Sequence, residues 1–184
     1  MIIGFAGKKR SGKDTISQYL IEKYNFKRYA FGDPVKEVCR ILFGFDDEQL
    51  YGGKKEDIDK IGITPRESFQ KIGTEFGRKY IHELFPNLKI PKGDLWIDIF
   101  KRNYKGEDIV FSDVRFQNEA SSIKELGGYI ILLDSKYAID DNHESEKIDV
   151  TYDYLLENSG TLEDFFKNFE KIISNIRSTS KDSS

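Results

Sequence analysis

The segment that most limits the fold lies at the N-terminus. There an apolar run, residues 1–6, passes into Gly7-Lys8-Lys9-Arg10-Ser11-Gly12-Lys13 and then into a helical pattern over residues 14–24. Two glycines separated by four residues, with a lysine directly after the second, make a loop whose backbone N–H groups can turn inward together. The helix that follows adds the positive end of its dipole. Such a loop holds phosphate only where a buried strand leads in and a helix leads out, and both are present. One position departs from the usual pattern: Asp14 stands where a serine or threonine is ordinary, and the hydroxyl comes one residue later, at Thr15.

The rest of the chain alternates short apolar runs with helical periods, the pattern of a parallel sheet covered by helices. Strands are expected at residues 1–6, 28–31, 109–111, 129–133 and 154–156. The expected architecture is a three-layer α/β/α P-loop NTPase fold with a mostly parallel sheet of about five strands. A helix opens at Pro34, with Asp33 as N-cap, Gly44 as stop, and Val35, Val38, Ile41 and Leu42 on one face. Thr64, Pro65 and Glu67 read as a capping box that starts another helix, carried on by Phe69, Ile72, Phe76 and Tyr80. Further helices are expected around Trp96, at 117–126 before Gly127-Gly128, and from Thr161 onward with Leu162, Phe165, Phe166, Phe169, Ile172 and Ile173 inward. Residues 1–177 are read as a single domain. Within it, about 45–108 is an acceptor-binding insertion and about 134–150 a lid-like loop, while 178–184 is a frayed tail.

Composition narrows the functional classes. With 38% hydrophobic and 33% charged residues the chain is globular, and a net charge of −3 does not suggest nucleic acid as a partner. No apolar run is long enough for a bilayer, and Lys8, Lys9 and Arg10 follow the N-terminal apolar stretch, the reverse of a signal peptide. A cytoplasmic protein is expected (host cytoplasm for a viral one), with no membrane partner and a homodimer left open. The one cysteine, Cys39, excludes an intrachain disulfide and a cysteine metal cluster. It is read as a small buried hydrophobe on a helix. His82 and His143 stand apart and form no metal pair.

Several residues carry candidate chemistry. Lys13 reaches the outer phosphates of a nucleotide and neutralises charge as a phosphoryl group moves. Asp14 either touches a metal or its water shell, or orients Lys9 and Arg10 while Thr15 holds a phosphate. Asp113 ends a strand expected beside the first, at the carboxyl edge where open α/β sheets bind ligands, and is a candidate for Mg²⁺ or for the acceptor; a plain turn aspartate is the alternative. Arg115 can clamp a phosphate bidentately, or pair on the surface with Glu119. Arg66, Gln70, Gly73 and Thr74 fall on one face by α-helical spacing and resemble a wall that grips a phosphate and reads a base edge. A mid-helix glycine costs about 1 kcal/mol relative to alanine, which a merely solvated face does not require. Lys36 is a second candidate for an acceptor phosphate, and Trp96 either stacks on a base or fills the core. Residues 142–147 lack arginine and make a poor phosphate clamp.

Together these residues resemble the deoxynucleoside monophosphate kinases of bacteriophages and related viruses. The matching blocks are Gly7 to Thr15, Asp33-Pro34-Val35-Lys36, Gln70-Lys71-Ile72-Gly73-Thr74-Glu75, Trp96, Asp113-Val114-Arg115 with Glu119, Gly127-Gly128, and Asn158-Ser159-Gly160-Thr161-Leu162. The resemblance makes Asp14 a family feature. It implies transfer of the γ-phosphoryl of ATP to a (deoxy)nucleoside monophosphate with Mg²⁺. By position, Gly7, Lys9, Arg10, Gly12, Lys13, Asp14 and Thr15 would bind ATP. Lys36, Arg66, Gln70, Gly73, Thr74, Trp96, Asp113, Arg115 and Glu119 would line the acceptor site. Lys13, Arg10, Arg115 and Asp113 would be catalytic, with Asp14 and Asp113 toward the metal. The rivals are a small-metabolite kinase on the same scaffold, for dephospho-coenzyme A or phosphomevalonate, and a non-catalytic nucleotide-binding protein.

Overall fold

A computed structural model describes residues 1–138 and 150–181. It divides into two compact units, Met1–Ala30 with Gly106–Ser184, and Phe31–Lys105. The first unit holds the sheet: β1 (Ile2–Gly7), β2 (Lys27–Tyr29), β3 (Ile109–Phe111), β4 (Tyr129–Ser135) and β5 (Tyr154–Asn158). The strand order is β2-β3-β1-β4-β5, and each neighbouring pair is parallel. β1 is central and buried along its whole length. A parallel strand covered on both faces reads as one apolar run, which is why β1 is plain in the sequence.

Alternation along the strands sorts the layers. Ile3 and Phe5 join Val110, Ile131, Leu133 and Leu156 under α1 (Lys13–Tyr24) and α8 (Leu162–Lys181), which contribute Ile16, Leu20, Phe165, Phe169, Ile172, Ile173 and Ile176. On the opposite face Gly4 lies against Ile123 of α7 (Gln117–Glu125) and Ile130. The result is the expected α/β/α arrangement. α1 and α8 are further clasped by Glu170, whose carboxylate accepts from Tyr19 (2.7 Å), Tyr24 (2.6 Å) and Lys23 (3.0 Å). Tyr19 stacks on Phe166 with ring centres 4.3 Å apart. α8 runs to Lys181, so residues 178–181, read from sequence as tail, are helical. Among the described residues no helix is long and apolar enough to cross a membrane.

The second unit holds α2 (Asp33–Phe43), α3 (Asp47–Leu50), a 3₁₀ turn at Lys54–Glu56, and a continuous helix in three parts. That helix begins as α4 (Pro65–Gln70), widens to a π-helix over Lys71–Tyr80, and ends as α5 (Ile81–Leu84); α6 (Leu95–Asn103) follows. Thr64 Oγ1 accepts from the Glu67 N–H at 3.1 Å, the forward half of the expected cap. Three expectations need correction. Asp33 is the first helical residue rather than the cap, which falls to Gly32 with no side-chain bond. Within α2 the buried positions are Val35 and Cys39, one turn apart, whereas Ile41 and Leu42 are 82% and 59% exposed. The surface excursion after Asp46 contains α3, capped reciprocally by Asp46 and Gln49. A helix of four residues carries no detectable period. Cys39 is fully buried, and burial pushes its thiol up to about 11, as suits a packing residue.

Candidate functional site

The loop after β1 is organised by bonds to its carbonyl oxygens. Lys13 Nζ donates to Gly7 O (2.6 Å) and Lys8 O (2.9 Å), the Ser11 N–H donates to Lys8 O (3.1 Å), and Asn158 Nδ2 donates to Ser11 O (3.0 Å). In a trans peptide the C=O and N–H point in opposite directions, so each anchored carbonyl turns the next N–H to the other side. Arg10 takes a left-handed conformation, φ 64°, at a cost of order 1–3 kcal/mol that loops of this kind carry at functional sites. Gly12, φ 105°, precedes the first turn of α1, and no side chain caps it. A Cβ at Gly12 would lie 2.7 Å from Asn158 Nδ2, the far end of a side chain, and the positive φ is what favours glycine there. The leading N–H groups of α1 therefore meet the requirement for an anion site.

Ser11 is buried, and its hydroxyl has no hydrogen-bond partner among the described residues. Lys8, Lys9 and Arg10 are exposed on the loop, and Asp14 and Thr15 are exposed on the first turn of α1.

Asp113 lies just past β3, which pairs directly with β1 as expected. The pairing is extended by the Val114 N–H, which donates to Phe5 O at 2.9 Å. The Asp113 carboxylate accepts from Arg115 Nε at 2.8 Å, so the two residues form one unit at the carboxyl edge of the sheet. Glu119 is buried rather than on the surface, and its carboxylate accepts from the backbone N–H groups of Arg115 (3.0 Å) and Phe116 (3.3 Å). It shapes the turn that carries Arg115. Asp, Arg and Glu at that spacing suggest side-chain pairing; the backbone role depends on the tight turn that leads into α7.

In the second unit Lys36 sits in the first turn of α2, 3.5 Å from the Asp33 carboxylate and over the Tyr51 ring at 4.4 Å. Arg66 pairs with Glu56 at 2.7 Å, and Gln70 is exposed. Beyond Gln70 the α-helical face rule fails, because bonds run from residue i to i+5, as from the Ile81 N–H to Phe76 O, and each turn holds more residues. The cause is local. The Trp96 indole N–H donates to Gly73 O at 2.8 Å and competes with the α-helical bond that carbonyl would otherwise accept. The ring lies where a Cβ on Gly77 would be, 2.5 Å away. Trp96 is buried, behind the helix rather than open to a ligand. Gly77 is a residue that the sequence reading passes over, although two glycines four apart in a helix are a visible signal. Gly73 differs: a Cβ there would meet only Val35, at an ordinary 3.5 Å. Packing within the protein thus accounts for glycine at 77 and not at 73.

Among the described residues no three acidic, histidine or cysteine side chains gather to hold a metal by themselves. Asp14 and Asp113 each offer one carboxylate, a donor set suited to a magnesium ion held mostly by phosphate oxygens and water. Residues 142–147, with His143, and most of the lid-like segment lie outside the described residues.

A phosphate loop between the central strand and first helix of a parallel α/β/α sheet defines a nucleotide-binding P-loop protein. The family model for deoxynucleotide monophosphate kinase matches residues 1–68. A protein of Acanthamoeba polyphaga mimivirus, provisionally assigned as a deoxynucleotide monophosphate kinase, is 39% identical over 188 residues, covering 95% of this chain and 97% of its own. The deoxynucleoside-5'-monophosphate kinase of Escherichia phage T5 is 23% identical over 219 residues, covering 79% of this chain and 84% of its own. Among solved structures, dephospho-CoA kinase from Campylobacter jejuni aligns over 97% of this chain and 98% of that one, at 15% identity and a TM-score of 0.47. The chain belongs to the deoxynucleotide monophosphate kinase family. It is an enzyme, a phosphotransferase.

Proposed function

We propose that the enzyme transfers the γ-phosphoryl group of ATP to the phosphate of a deoxynucleoside monophosphate, giving ADP and a deoxynucleoside diphosphate. The observation that carries this is the loop itself, with Ser11 O held by Asn158 and Lys13 poised on Gly7 O and Lys8 O. Gly7, Lys9, Arg10, Gly12, Lys13, Asp14 and Thr15 are assigned to ATP. When the triphosphate binds, Lys13 exchanges those two carbonyls for phosphate oxygens, a stronger partner for an ammonium group. An oxygen of the acceptor phosphate attacks the γ-phosphorus, the bond to the β–γ bridging oxygen breaks, and ADP leaves with the electron pair. The acceptor is already an anion, so no strong general base is required; Lys13, Arg10 and Arg115 supply positioning and charge neutralisation. Asp113 holds Arg115 for that purpose. Asp14 and Asp113 would hold magnesium, directly or through water, and the ion would supply neutralisation of the phosphate charge.

For the acceptor, Lys36, Arg66, Gln70, Gly73 and Thr74 are assigned in the second unit, and Asp113 and Arg115 in the first. Gly73 favours this assignment, since it carries the cost of a helical glycine with no neighbour among the described residues that demands one. Trp96 and Glu119 are assigned supporting parts, Trp96 through the Gly73 carbonyl and Glu119 through the Arg115 backbone. The test is ADP formation from ATP and Mg²⁺ with each deoxynucleoside and ribonucleoside monophosphate in turn. Turnover with at least one deoxynucleoside monophosphate is expected; no turnover with any of them refutes the proposal. Turnover only with dephospho-coenzyme A or phosphomevalonate would move the enzyme to the small-metabolite class.

A further inference from the structure

We propose that Asn158 is a positioning residue of the phosphate loop, whose carboxamide fixes the peptide between Ser11 and Gly12 so that the Gly12 N–H faces the phosphates. This role presupposes that the loop binds a nucleotide through its phosphates, and the experiment below separates the two claims. A loop that turns its N–H groups toward phosphate needs other donors for its carbonyls. Two of them, Gly7 O and Lys8 O, are held by Lys13, which must let go to meet the phosphates. Ser11 O is held instead by Asn158 at 3.0 Å, from the end of β5, and nothing in the proposed reaction requires that bond to break.

Asn158 is itself fixed. It pairs in register with Ser135 of β4, and Ser135 Oγ donates to Asn158 O at 3.2 Å while accepting from the Tyr137 N–H at 3.1 Å. The carboxamide also lies close to Gly12, its Nδ2 2.7 Å from where a Cβ would stand. The outermost strand pair thus sets the orientation of one peptide in a loop that β1 carries at the centre of the sheet. Loss of the bond frees the Ser11–Gly12 peptide to rotate, and the site then spends binding energy on ordering it.

The test measures the affinity of the intact protein for Mg²⁺-ATP and for inorganic tripolyphosphate by calorimetry, alongside the melting temperature. The variants are Asn158→Ala, Asn158→Asp and Ser135→Ala, with Glu170→Gln on the far clasp as a control for stability alone. Asn158→Ala is expected to weaken both ligands about tenfold, the factor one ordinary hydrogen bond carries. Asn158→Asp should weaken them more, because a carboxylate oxygen then faces the Ser11 carbonyl. Ser135→Ala, which keeps the carboxamide but removes its support, should show a smaller loss, and carries the test if the Asn158 variants do not fold. In steady state the KM for ATP should rise while the KM for the monophosphate stays unchanged. Unaltered affinities in a folded variant overturn the proposal. So does a loss confined to ATP, which would make Asn158 a nucleoside contact, or an equal loss in Glu170→Gln. A wild-type protein that binds neither ligand overturns the phosphate-loop reading itself.

Discussion

Lys13 and Gly73 show how single residues divide between holding the protein together and serving a ligand. Lys13 crosses its own loop to two carbonyls, so its removal affects the empty loop as well as the filled one. Lys13→Ala is expected to lower kcat by about two to three orders of magnitude, the scale on which single charge-stabilising donors act, and to lower the melting temperature of the unliganded protein as well. Gly73 and Gly77 make a contrasting pair. Alanine at 77 collides with the Trp96 ring, so Gly77→Ala should cost about 1–3 kcal/mol of stability, as overpacking does. Alanine at 73 has room beside Val35, so Gly73→Ala should leave stability intact or raise it by up to about 1 kcal/mol, while raising the KM for the monophosphate. Denaturant titration and steady-state kinetics on the two variants check both halves. If Gly73→Ala leaves that KM unchanged, Gly73 has no part in the acceptor site. In the sequence both glycines are equally visible. Which of them packing explains depends on Trp96, whose indole bonds a carbonyl 23 residues away.

At the scale of elements, β1 and β3 are legible because burial on both faces leaves an unbroken apolar signature, and both fall close to where the residues put them. Helices are harder where neighbours override period. The π-helix over Lys71–Tyr80 keeps an apolar pattern that reads as α-helical, because the widening comes from the Trp96 N–H on Gly73 O rather than from local propensity. The α1–α8 clasp is another element-level feature, with a testable pH dependence. Burial pushes the Glu170 carboxyl up, but hydrogen bonds from Tyr24, Tyr19 and Lys23 outweigh it, and the group sits below its ordinary value. A carboxyl depressed in the folded state contributes stability that is fully present above its unfolded value, about 4.3, and is lost as pH falls through the folded value. Glu170→Gln should therefore lower the melting temperature at neutral pH, and the gap to wild type should close as pH falls below about 4. A gap constant across that range would show that the charge of Glu170 contributes nothing to the clasp.

At the scale of the whole molecule, ligand linkage gives the broadest check. ATP at about a hundred times its Kd should add about 2.7 kcal/mol, raising the melting temperature by roughly 5–10 °C for a chain of this size, and Lys13→Ala should remove most of the shift. Absence of any shift with ATP, read by calorimetry or fluorescence, would argue against a triphosphate on the loop. The sequence by itself determined the strand–loop–helix unit, the apolar strands and the residue types at the site, because each of these is set by neighbours within one or two turns of chain. The loop at residues 7–13 is therefore readable from its own residues and the two elements that flank it. The order β2-β3-β1-β4-β5, the burial of Glu119 under the Arg115 backbone, the wedge of Trp96 and the anchoring of Ser11 by Asn158 were decided by the tertiary structure. The last of these joins residues 147 positions apart, and no local pattern records a hydrogen bond formed only when the sheet has closed around the loop.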